Sequence, residues 1–139
     1  MAMPLSIRFE DSLLDRLRRS ARAAASTPSG LAQRLVDEGL RSREHPGIVF
    51  RDGPSGRRAA LAVGPDVWEV VSAVRLTTVR GEASIASVAE EMSLPEPAVR
   101  AALDYYAEYP DEIDSEVDEN DRAAERALAA WRARQRLLS

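Results

Sequence analysis

Five residues near the start of the chain, Leu5-Ser6-Ile7-Arg8-Phe9, alternate apolar and polar side chains with the two-residue period of a half-buried strand. An amphipathic helix follows at once, with Leu13, Leu14 and Leu17 at helical spacing and Asp11 or Ser12 placed to accept its orphan amide hydrogens. Ala25-Ser26-Thr27-Pro28 breaks that helix. A second begins there, with Thr27 as N-cap, Pro28 at the first helical position and Leu31, Leu35, Val36 and Leu40 as its apolar stripe. A lone strand followed by two helices has no sheet to join, and both rows of its backbone donors and acceptors stand open. The expected remedy is a twofold-related copy, whose pairing buries Leu5, Ile7 and Phe9 against the helices and leaves Pro4, Ser6 and Arg8 outward. That outer face is a two-stranded ribbon, a shape that fits the major groove of duplex DNA.

Leu5-Ser6-Ile7-Arg8-Phe9, Leu13-Leu14-Asp15-Arg16-Leu17 and the run from Thr27 to Val36 together resemble the ribbon-helix-helix family of CopG, Arc and MetJ repressors and many bacterial antitoxins. The resemblance implies that the outward strand residues Ser6 and Arg8 read bases, with Pro4 at the margin because it donates no hydrogen bond. It also implies that Thr27 and Ser29, at the start of the second helix, hold a phosphate. The chemistry agrees: arginine makes a bidentate contact to guanine, and a helix N-terminus offers amide hydrogens and a partial positive charge. Taken alone, Ser6 and Arg8 would pass for a solvated strand face; the ordered strand-helix-helix context favours the dimeric ribbon.

At 139 residues and 45% hydrophobic, the chain is long enough for one domain or two small ones with a core. It has no cysteine, which removes disulfides and thiolate metal sites. No apolar run approaches the roughly 20 residues of a membrane helix, and no signal peptide opens the chain, so a cytoplasmic location is expected. All 19 basic residues are arginine, most simply a codon bias. The net charge of -4 is unevenly spread. Residues 1–46 hold eight Arg against six acids, residues 47–106 six against eight, and residues 107–139 five against nine. Only the first segment suits a phosphate backbone.

Three regions are expected: 1–44 for dimerisation and DNA binding, 45–114 as a hairpin with a helix-turn-helix-like unit, and 115–139 as an amphipathic helix. Pro46 and Gly47 end the second helix. Ile48-Val49-Phe50 and Ala59 to Val63 read as strands joined by a turn-rich stretch that holds Gly53, Pro54 and Gly56. That loop, flanked by Arg57 and Arg58, lacks the order of a nucleotide-binding loop and reads as a hairpin turn. His45 is the only histidine and reads as a helix C-terminal residue rather than a metal ligand. A helix from Pro65 or Asp66 carries Val67, Trp68, Val70, Val71, Val74 and Leu76, with Trp68 expected in the core. Ser84 to Met92, a turn at Ser93-Leu94 and Pro95 to Leu103 form a helix, turn and helix with small Ala89 at the crossing. The second of these helices shows Glu96, Arg100 and Asp104 to solvent, and two acids against one arginine point to a structural or protein-binding use.

Gly56-Arg57-Arg58, Gly64 to Trp68 and Ala101 to Asp114 make residues 45–114 similar to a family of unknown function found in bacterial antitoxins that accompany PIN-like toxins. The resemblance implies neutralisation of a partner toxin, as in VapB-type antitoxins, and autoregulation of a shared operon. Eight acids lie between Glu108 and Asp121, and Ile113, Val117, Ala124, Leu128, Trp131 and Leu138 run through them and beyond as a helical stripe, with Arg132, Arg134 and Arg136 near the end. The stripe packs on the chain's own domain or on a partner, with Trp131 as anchor; Tyr105, Tyr109, Leu128, Trp131, Arg132 and Arg134 are the candidate toxin contacts. One histidine, no cysteine and acids crowded on a solvated helix argue against an enzyme, and neither a cofactor nor a metal is expected. The expected fold is mainly α with short β, and the expected function is that of a dimeric antitoxin and operon repressor. The alternative is a stand-alone ribbon-helix-helix repressor whose C-terminal part oligomerises or senses a ligand.

Overall fold

The computed structural model describes residues 3–139, which divide into two compact units, one ending at Arg43 and one spanning Glu44–Ser139. Among the described residues the chain is mainly helical, with helices α1 (Asp11–Ala23), α2 (Pro28–Glu44), α3 (Val67–Leu76), α4 (Ala83–Met92), α5 (Glu96–Glu108) and α6 (Pro110–Leu138). A short antiparallel hairpin, β1 (Ile48–Gly53) and β2 (Gly56–Leu61), follows α2.

The first unit corrects the N-terminal expectation. Residues 3–10 adopt no strand, and helices precede the only sheet among the described residues. The physical reason is the one that makes the segment unusual: in a single chain it has nothing to pair with. Leu5 and Ile7 are exposed and Phe9 is half-buried. The cap of α1 also differs, since Glu10 holds the N-cap position with no side-chain hydrogen bond and Asp11 already lies within the first turn. The end of α1 is closed by its backbone: the Ser26 amide donates to the Ala21 carbonyl at 2.8 Å and the Ala25 amide to the Arg22 carbonyl at 3.2 Å. This termination requires a left-handed residue, and Ala25 adopts it at φ 51°. Thr27 caps α2 as expected, its hydroxyl accepting the Gly30 amide at 3.0 Å.

In the second unit, β1 and β2 pair from Ile48 with Leu61 to Gly53 with Gly56. The strands extend further towards the turn than the alternation indicated, while Val63 falls beyond β2 and is exposed. Gly56 at φ 109° supplies the turn geometry that a side chain would strain. Asp66 is the N-cap of α3, and its amide donates to the Glu69 carboxylate at 2.8 Å. The hairpin, α3, α4 and α5 meet in one core that includes Ile48, Val67, Val70, Val88, Val99 and Tyr105. Trp68 packs against that core half-buried rather than within it. The helix-turn-helix spacing holds: Ser93 turns the chain at φ 56°, the Leu94 amide closes on the Ala89 carbonyl at 2.8 Å, and Ala89 is buried.

Helix α6 packs on α3 and α5 through its first turns, where Ile113 and Val117 are buried. It then continues without interruption to Leu138, with every residue from Asp118 onward exposed. No break marks residue 115.

Candidate functional site

Pro4, Ser6 and Arg8 all lie exposed in the extended N-terminal segment. In the same unit, Ala21 and Leu31 are the buried apolar residues, whereas Leu13, Leu35, Val36 and Leu40 are each at least 43% exposed. Leu13, Arg16, Leu17, Ser20 and Leu35 line a shallow cleft of about 160 Å³ on this face. Leu13 on α1 and Leu35, Val36 and Leu40 on α2 therefore face solvent, while Leu14 and Leu17 are half-buried and Leu31 is covered. Thr27 and Ser29 sit exposed at the start of α2, where Pro28 has no amide hydrogen and the Gly30 and Leu31 amides bond to Thr27.

The second unit redistributes the candidates. Tyr105 is fully buried, its ring tilted against Tyr109 at 4.7 Å and its hydroxyl donating to Glu112 at 2.7 Å. It is a core residue, which removes it from any contact surface. Tyr109 is half-buried in the same aromatic group. His45 lies just past α2, with Nε2 2.5 Å from Glu108 and its ring edge-on to Tyr105 at 5.3 Å. The histidine thus has a carboxylate partner that its position after the helix did not reveal. On α5, Glu96, Arg100 and Asp104 are exposed as the helical spacing indicates, and Arg100 pairs with Glu82 at 2.5 Å. The outward face of this helix carries acids, and its one arginine is already engaged.

Leu128, Trp131, Arg132 and Arg134 lie on the exposed part of α6, with Leu128 46% and Trp131 51% exposed. Nearer its start, α6 borders the hairpin turn. A cleft of about 330 Å³ opens there, lined by Arg58, Asp66, Trp68, Glu119 and Arg126 among others. Arg58 donates to Glu119 at 2.7 Å and lies over the Trp68 ring at 5.9 Å. Glu116, on the same side of α6, is the residue the sequence did not flag. Its Oε1 is buried and meets no hydrogen-bond partner among the described residues. Burial pushes the carboxyl up to about 7; Arg58 opposes that rise, while Glu112, Asp66 and Glu119 add to it. The available signal was position: Glu116 lies three residues after Ile113 and beside Val117, on the packed side of a run that otherwise faces water.

Across the helices, Arg75 meets Asp114 at 2.5 Å, and the Tyr106 hydroxyl donates to the same carboxylate at 2.9 Å. The guanidinium, chiefly, and the hydroxyl hold the Asp114 carboxyl below its ordinary range, and the carboxylate raises Arg75 in turn. The trio clamps α3, α5 and α6 together. No group of three or more potential metal ligands occurs among the described residues, and none of their helices is long and apolar enough to cross a membrane. Compared with protein-family models, curated proteins and solved structures, the chain matches none.

Proposed function

We propose that the chain is the antitoxin of a type II toxin-antitoxin pair, repressing its own operon as a ribbon-helix-helix dimer and neutralising a PIN-like ribonuclease toxin. The observation that carries this reading is the incompleteness of the first unit. Leu13, Leu35, Val36 and Leu40 of its apolar stripes are exposed, and an amphipathic segment with no strand partner precedes them. A second copy supplies the missing partner to both, burying Leu5, Ile7 and Phe9 and turning Ser6 and Arg8 outward as a ribbon. The positive balance of residues 1–46 and the exposed Thr27 and Ser29 at the positive end of α2 suit the flanking phosphates. For the toxin, the exposed end of α6 offers Leu128 and Trp131 to an apolar groove, and Arg132 and Arg134 to the acids that hold a nuclease's metal ions. The stand-alone repressor with a C-terminal oligomerisation segment is the second reading, favoured by the change of charge sign along α6.

Arg8→Ala tests the ribbon. Affinity for DNA from upstream of the chain's own gene, measured by fluorescence anisotropy at fixed salt, is expected to fall by about 1–3 kcal/mol while the dimer persists. Unchanged affinity would show that another surface reads the DNA. The toxin contact is tested by deleting residues 121–139, a cut that spares the buried Val117 and the Arg58–Glu119 pair. Toxin inhibition should be lost with dimerisation kept, and intact inhibition would place the toxin elsewhere.

A further inference from the structure

The exposed part of α6 runs from Asp118 to Leu138, about 30 Å of helix at 1.5 Å per residue. Helices in proteins draw most of their stability from packing an apolar face, and this one leaves Leu128, Trp131 and Leu138 uncovered. They recur at the three- and four-residue spacing of a helix-pairing seam, which Ala124 and Gln135 fill and which Asp121 continues at its polar end. The charges flanking the seam choose the occupant. Residues 118–125 hold four acids and one arginine, of which Glu119 is already paired with Arg58. Residues 126–138 hold four arginines and no acid, of which Arg132 and Arg134 flank the seam while Arg126 and Arg136 lie on the far side of the helix. An acidic groove would complement only the basic half, and a basic one only the acidic half. A second α6 running the opposite way complements both at once.

We infer that α6 pairs antiparallel with α6 of a second copy of this chain over residues 121–138. The twofold axis crosses the helix between Leu128 and Trp131, which lays each Trp131 on Leu128 of the second copy. In that register Glu125 stands beside Arg132 of the second copy, twice by symmetry, and Ala124 leaves room near the indole. Parallel pairing sets acid on acid and arginine on arginine, an arrangement that like-charge repulsion disfavours. The pairing does not depend on the antitoxin reading. Where that reading holds, toxin and second copy compete for one stripe, so the toxin must displace the pair.

The chain has no cysteine of its own, which makes the geometry directly readable. Full-length Glu125→Cys and Arg132→Cys chains, carrying different tags, are expressed separately and together, then treated with a short bis-maleimide. Antiparallel pairing gives a cross-linked product joining the two different chains, and little product when either variant is present alone. Trp131→Ala in both chains should cut the mixed product roughly tenfold or more, as loss of a buried aromatic anchor does. No mixed product would overturn the inference. Equal cross-linking by each variant alone would overturn it too, because that is the signature of parallel, in-register helices.

Discussion

Glu116→Gln should stabilise the second unit at neutral pH and leave it unchanged in acid. In the unfolded chain this carboxyl ionises near 4.5, and in the folded chain burial holds its proton to about 7. Between those values the unfolded form has already lost the proton that the folded form still binds. Stability therefore falls as pH rises through that window and levels off above 7. At full weight the shift corresponds to about 3 kcal/mol, since one pKa unit is about 1.4 kcal/mol. Glu116 is only half-buried, so solvent screening reduces the expected cost of its charge to about 1–2 kcal/mol. The groups facing it are Arg58 on β2, Asp66 at the start of α3, and Glu112 and Glu119 on α6. Glutamine keeps the shape and removes the charge. Urea unfolding followed by Trp68 fluorescence in a Trp131→Phe background isolates the second unit. The variant should match the parent at pH 4 and exceed it by about 1–2 kcal/mol at pH 8. A difference that is the same at both pH values, or a less stable variant at pH 8, would refute the reasoning.

Two further substitutions test the local physics. Ala25→Gly relieves a left-handed residue at φ 51° and should stabilise the first unit by about 0.5–1 kcal/mol, read as a higher thermal midpoint by circular dichroism. Tyr105→Ala removes a fully buried ring and should cost the second unit about 3–5 kcal/mol in urea unfolding. Arg100→Ala, on an exposed side chain of the same helix, should change it by about 0.5 kcal/mol or less.

Elements with strong local signals were legible. Thr27-Pro28 started α2, and the turn formers around Gly53 and Gly56 closed the hairpin. Ser93 and Ala89 marked the helix-turn-helix. In each case a backbone requirement coincides with the one residue that meets it. Periodicity alone did not show which stripe finds a cover. The apolar residues of α6 form one continuous pattern, yet Ile113 and Val117 are buried while Leu128 and Trp131 are not. The cause is tertiary: α3 and α5 reach only the first turns of the helix. Tyr105 was misplaced for a related reason. An aromatic beside a run of acids reads as a contact residue, but its spacing from Val99 and Ala102 sets it on the core side of α5. The N-terminal segment is the opposite case, a strand pattern that one chain cannot satisfy.

That segment bears the central claim, and hydrogen exchange at its amides tests it most directly. In full-length protein across a concentration series, the amides of residues 5–9 should become protected as the chain dimerises, with the alternating pattern of an antiparallel pair. Fast exchange throughout that segment in a fully dimeric sample would contradict the account, since the ribbon would then be absent from the assembled protein.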